Sequence, residues 1–94
     1  MLDGNSNNFQ LLSSNTVNEM ATPQIPSIRN DVGLHLFLYD TTNNLWGHDG
    51  SETGVTTLVG FNNSTKTGAI LFTNLQDVDL DNMLVEAYKL GLKL

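Results

Sequence analysis

Leu45-Trp46-Gly47-His48-Asp49-Gly50-Ser51, followed by Glu52-Thr53-Gly54 and then Val55-Thr56-Thr57-Leu58-Val59-Gly60-Phe61, reads as strand, turn, strand. The first run ends at a glycine-bearing turn, and the second begins with β-branched residues that suit a pleated surface. A His with a Gly two residues on, at the lip of a strand, lets a ligand approach the backbone. On this ground His48 and Gly50 are the candidate ligand-approach residues.

Working outward, Asn62 to Gly68 is a hairpin loop, because Asn and Gly tolerate positive φ. Ala69 to Thr73 is a nearly continuous apolar strand, expected to be buried on both faces. On the N-terminal side, Gly33 to Tyr39 alternates loosely and is rich in Leu, Phe and Tyr, so it reads as a strand, with Asp40 to Asn44 as a turn.

From Leu80 to Leu92, apolar residues fall at Leu80, Met83, Leu84, Ala87, Tyr88 and Leu92, the spacing of an amphipathic helix. Asp77, Asp79 and Asp81 suit its positive N-terminal end, Lys89 and Lys93 its C-terminal end, and Gly91 marks where it frays. Asp3 to Asn8 is turn-rich. A short helix follows, capped by Ser14 or Asn15, with Val17 and Met20 as its stripe, and Pro23 and Pro26 stop it. The expected fold is α+β: a three- to four-stranded antiparallel meander, with an N-terminal helix and a C-terminal amphipathic helix packed on the sheet. All 94 residues form one unit.

The formal net charge is −6, and Arg29, Lys66, Lys89 and Lys93 are the four basic side chains. Nucleic-acid binding needs clustered cations, so that class is excluded, and an anionic membrane surface is disfavoured for the same reason. No stretch approaches the ~20 apolar residues of a membrane span. With no cysteine, disulfides, thiolate metal sites and thiol catalysis fall away. His35, within an apolar strand, reads as structural. Together with His48 and Asp49 it supplies too few ligands for a metal site. The Asp77, Asp79, Asp81 series lacks the Gly and distal Glu of a calcium loop, so no metal or other cofactor is expected.

Several segments, in order, resemble the last third of the β-lactamase and penicillin-binding-protein-like serine hydrolases, the branch of class C β-lactamases, D-peptidases and related esterases. Met1-Leu2-Asp3-Gly4, Leu11-Leu12-Ser13, Thr16-Val17-Asn18-Glu19-Met20 and Ala21-Thr22-Pro23-Gln24 look like that family's "LLS..TV..M.TPQ" stretch. Gly33-Leu34 with Leu36 resembles its "GLGW" strand, and Trp46 to Gly50 its "GHGG" box. Gly54-Val55, Gly68-Ala69 and Leu71-Phe72-Thr73-Asn74 resemble the two strands that follow.

The resemblance implies a fragment carrying the third active-site box. His48 would then bind substrate and tune the active-site protons, and Gly50 would let substrate lie on the strand. Ser51 would offer its backbone N–H to an oxyanion. It also implies a small amide or ester substrate for the full-length parent, and a periplasmic or extracellular bacterial setting. Two departures matter. Asp49 stands where many members have Thr, Ser or Gly, and its carboxylate would repel a substrate carboxylate. None of Ser6, Ser13, Ser14, Ser27, Ser51 and Ser64 has a Lys three residues on, and neither Tyr39 nor Tyr88 has an Asn two residues on. The nucleophile Ser-x-x-Lys and the Tyr-x-Asn box would lie upstream, so no residue of this chain is assigned a catalytic role.

Lys66-Thr67-Gly68 is the Lys-Thr-Gly form of the same box. One strand and a helix follow it, however, whereas the family box needs two further strands. The alternative to a hydrolase segment is a free-standing small α/β structural or binding module. Such a module would have to cover its open strand edge, most simply as a homo-oligomer.

Overall fold

A computed structural model describes residues 4–94, apart from the side chain of residue 6. The Met1-Leu2-Asp3 part of the resemblance lies outside the described residues. The chain opens with a short hairpin, β1 (Asn5–Ser6) and β2 (Phe9–Gln10). Asn7 and Asn8 turn it, with φ of +49° and +66°, the region that asparagine tolerates best after glycine.

Helix α1 (Ser14–Met20) follows. Its cap is Ser13, one residue before the expected Ser14 or Asn15: Ser13 keeps an extended backbone, and its Oγ accepts from the Thr16 N–H at 3.1 Å. The Thr22-Pro23-Gln24 segment then seals the helix. Thr22 Oγ1 donates to the Asn18 carbonyl, and Gln24 Nε2 donates to the carbonyls of Glu19 and Thr22 at 3.0 and 2.9 Å.

Four strands form one antiparallel meander, β3 (Phe37–Asp40), β4 (Leu45–Glu52), β5 (Val55–Asn62) and β6 (Thr67–Thr73), in that spatial order. Helix α2 (Asp81–Leu92) packs on one face of this sheet, which gives the expected α+β architecture. Leu45, Leu58, Leu80, Leu84 and Tyr88 form the buried core between sheet and helix, with Tyr39, Ala69, Leu71, Val78 and Val85 packed around it. Gly60 makes the close approach possible, because a Cβ there would lie 2.6 Å from a Leu84 methyl.

Side-chain oxygens of Asp40 and Asn62 fix the β3–β4 and β5–β6 loops. Asp40 Oδ2 accepts from the Asn43 N–H at 2.8 Å, and Asn62 Oδ1 accepts from the N–H groups of Ser64 and Thr65 at 2.7 and 3.0 Å. Asn62 Nδ2 donates to the Asn43 carbonyl at 2.7 Å, tying the loops together.

Three sequence expectations need correction here. The strand expected from Gly33 begins only at Phe37, because His35 sits at φ +59°, where a strand cannot continue. Strand β6 is not buried on both faces: Ile70 and Phe72 are 65% and 77% exposed, since α2 covers one face and no described element covers the other. Gly91 is the penultimate residue of α2, at the end where the glycine was expected, and a Cβ on it would come within 2.8 Å of a Thr67 methyl. Met83, assigned to the core stripe, is 59% exposed on the flank of α2.

Candidate functional site

Strand β4 places the four candidate residues. Register pairs His48 with Val59 and Gly50 with Thr57, so their side chains share the open face. Asp49 pairs with Leu58 and Ser51 with Thr56, which puts those two side chains on the α2 face. The four are therefore contiguous along the strand but divided between its faces.

The outer edge of β4 is open over this stretch. β3 pairs with β4 only from Leu45 to Gly47, and before Phe37 the chain turns away. Residue pairs alternate along an antiparallel ladder between groups aimed at one neighbour and groups aimed at the other. The Glu52↔Val55 pair closes the two-residue turn, so Glu52, Gly50 and His48 direct their backbone groups at β5. Asp49 and Ser51 direct theirs outward, to the edge without a strand partner among the described residues.

His48 curls over that edge. Its Nδ1 donates to the Asp49 carbonyl at 2.6 Å, and because a carbonyl only accepts, Nδ1 carries the proton. In the neutral ring Nε2 is then left as an acceptor. The Phe37 ring meets the imidazole edge-on, with centroids 5.5 Å apart, and holds its orientation. Beside it lies a depression of about 260 Å³, walled by His48, Thr57, Val59, Ile70 and Phe72.

The other three residues have partners inside the chain. The Asp49 carboxylate accepts from the Tyr39 hydroxyl at 2.9 Å, on the sheet face away from His48. Ser51 Oγ donates to Asp77 Oδ1 at 3.2 Å. A Cβ on Gly50 would lie 2.6 Å from Thr57 Oγ1, so a larger residue here would make the Thr57 hydroxyl turn aside.

Burial, and then the Asp49 carboxylate that accepts its proton, raise the Tyr39 phenol well above its ordinary value. Burial, followed by the neighbouring Asp79 and Asp49 carboxylates, raises Asp81. For Tyr39 the folded value exceeds the unfolded one, so its contribution to stability is complete below about pH 10 and lost as pH rises through the folded value. Tyr39→Phe is expected to cost about 1 kcal/mol at neutral pH, the usual worth of one hydrogen bond. Urea midpoints at pH 7 and above pH 10 check this: the gap between wild type and variant narrows at the higher pH.

Lys66 lies in the β5–β6 loop at φ +56°, and its Nζ donates to Asn63 Oδ1 at 3.2 Å, with Thr67 and Gly68 opening β6. His35 lies in the loop before β3 rather than in a strand. Asp79 Oδ1 accepts from the Asp81 N–H at 2.9 Å at the start of α2. Among the described residues no three His, Asp or Glu side chains converge as metal ligands. Among the described residues no helix is long and apolar enough to cross a membrane.

Sequence reading missed the Tyr39–Asp49 bond and the Phe37–His48 contact. The first was accessible through alternation, which puts Tyr39 and Asp49 on one face once the β3–β4 register is known. The second depends on how the chain turns at His35, and no local pattern announced that turn. No protein-family model matches this chain, and no curated protein or solved structure matches it.

Proposed function

We propose that this chain is the C-terminal part of a serine hydrolase of the β-lactamase and penicillin-binding-protein-like superfamily, with β4 forming one wall of the active site. The observation that carries the reading is the open outer edge of β4 beside His48. A substrate carbonyl lying along that edge meets the outward Ser51 N–H, a donor of the kind that stabilises the oxyanion of acyl transfer. In a complete site one such donor is worth about 3–4 kcal/mol of barrier. Nε2 of His48, oriented by the Asp49 carbonyl and Phe37, is placed to accept a proton or hydrogen bond from substrate or an incoming hydroxyl. Two antiparallel strands and a packed helix follow the box, the tail that the resemblance calls for.

The nucleophile comes from outside this stretch. Among the described residues no hydroxyl is hydrogen-bonded to His48, and the Ser51 hydroxyl is engaged by Asp77 on the opposite face. An activated nucleophile needs a base within hydrogen-bond reach. The substrate class is a small amide or ester. With Asp49 turned to Tyr39, its carboxylate is held away from the His48 face, so any repulsion of an anionic substrate acts through the sheet edge and not by direct contact.

The purified chain is expected to give no turnover of a p-nitrophenyl ester or a chromogenic β-lactam above the buffer rate. Turnover that a serine-directed inhibitor abolishes would contradict the assignment of the nucleophile to another segment.

A further inference from the structure

The loop between β6 and α2, residues 74–80, reaches back to the end of β4 at two points. Ser51 Oγ donates to Asp77 Oδ1 at 3.2 Å, and Gln76 Oε1 accepts from the Gly54 N–H of the β4–β5 turn, also at 3.2 Å. The loop is itself held at both ends. Thr73 Oγ1 accepts from the Leu75 N–H at 3.2 Å where β6 stops, while Leu80 belongs to the buried core and Val78 packs against it. Asp77 sits between these anchors at φ +55°, a left-handed conformation that aspartate accepts more readily than most residues.

We propose that Asp77 is a positioning residue for the oxyanion donor. Its carboxylate holds the Ser51 hydroxyl on the α2 face, and so fixes the peptide whose N–H points to the outer edge of β4. The role rests on the hydrolase reading above. The ladder explains why such a hold is needed. Gly50 and Glu52 direct their backbone groups at β5, but Ser51 between them directs none there. The peptide that carries the Ser51 N–H also begins at Gly50, the residue type with the widest backbone freedom and no side chain to anchor. The direction of that N–H is therefore set by what the Ser51 side chain grips.

The grip belongs to Asp77 and not to the sheet. Thr56, the cross-strand partner of Ser51 on the same face, is 8% exposed, and its Oγ1 has no hydrogen-bond partner among the described residues. The Ser51 hydroxyl bonds to the carboxylate rather than to this neighbouring hydroxyl. A bond to an ionised acceptor is roughly twice as strong as one between neutral groups. Oxyanion stabilisation depends on donors fixed in place before the charge develops. A misplacement of about 1 Å can cost roughly 10²-fold in rate. An interaction made only in the transition state is lost from kcat and not from KM.

The test uses the full-length protein with a p-nitrophenyl ester. Asp77→Gly removes the acceptor and keeps the left-handed backbone free of strain, whereas Asp77→Asn keeps an acceptor oxygen. Asp77→Gly is expected to lower kcat roughly tenfold with little change in KM, a part of the roughly 10²–10³-fold that a whole donor is worth. Asp77→Asn should retain most of the wild-type kcat. Ser51→Ala deletes the hydroxyl but leaves the backbone N–H, so it should match Asp77→Gly, and the double variant should be no slower than either single one. A wild-type kcat in Asp77→Gly, a change confined to KM, fully additive losses, or an Asp77→Asn variant as slow as Asp77→Gly would overturn the positioning role and leave the hydrolase reading standing. No turnover by the full-length wild type would overturn that reading, and the positioning role with it. If Asp77→Gly fails to fold, Ser51→Ala decides the matter, since a wild-type kcat there overturns the role.

Discussion

Leu84→Ala is expected to destabilise the chain by about 2–5 kcal/mol, the range for removing a buried leucine and leaving a cavity. Leu84 is fully buried at the centre of the contact between α2 and the sheet. A chain of this size has only about 5–14 kcal/mol of stability in total, so the variant would lose a large share of it. The structure also predicts where the loss can be recovered. The Leu84 methyls occupy the space above Gly60, at 2.6 and 3.1 Å from where a Cβ would sit. Gly60→Ala alone should therefore destabilise by overpacking, typically about 1–3 kcal/mol. In the Leu84→Ala background the same methyl enters the new cavity, and its cost should fall towards zero. Urea denaturation of the four proteins measures this coupling directly. Simple additivity would show that α2 does not sit on Gly60 as described.

Gly47→Ala is expected to be as damaging, by a different route. A Cβ at Gly47 points into the backbone carbonyl of Val59 on the adjacent strand. A flexible side chain could move aside, but a carbonyl within a ladder cannot do so without breaking the β4–β5 pairing. The expected cost is at the top of the overpacking range, about 3 kcal/mol. Because Gly47 immediately precedes His48, the damage falls on the strand that carries the candidate site. In hydrogen-exchange measurements the variant should lose protection along β4 and β5 first, while α2 keeps more of its own. Uniform loss across the whole chain would instead mean that sheet and helix form a single cooperative unit.

Where a period of two or of 3.6 dominated, the sequence told the fold. Val55 to Phe61 and Leu80 to Leu92 were legible because burial repeats at those spacings, and the glycines and asparagines between them marked the turns. Single-residue backbone choices were not legible. His35 takes a left-handed conformation that makes β3 start late, and nothing in Leu34-His35-Leu36 signals it. The apolar run Ala69 to Thr73 misled for a physical reason: an apolar strand looks the same in sequence whether its second face is covered or open. Here it is open, and Ile70 and Phe72 are exposed. The motif put the four candidate residues on one strand but did not show how their side chains divide between its faces. Alternation sends Asp49 to Tyr39 and Ser51 to Asp77, while His48 lies on the other face with its Nδ1 held by the Asp49 carbonyl.

The central claim is that β4 is one wall of a serine hydrolase site whose nucleophile is supplied by an earlier segment. The sequence encoded in frame before Met1 tests it most directly. The account predicts a Ser-x-x-Lys motif followed by Tyr-x-Asn upstream. A frame that opens at Met1, or an upstream segment with neither motif, would contradict it.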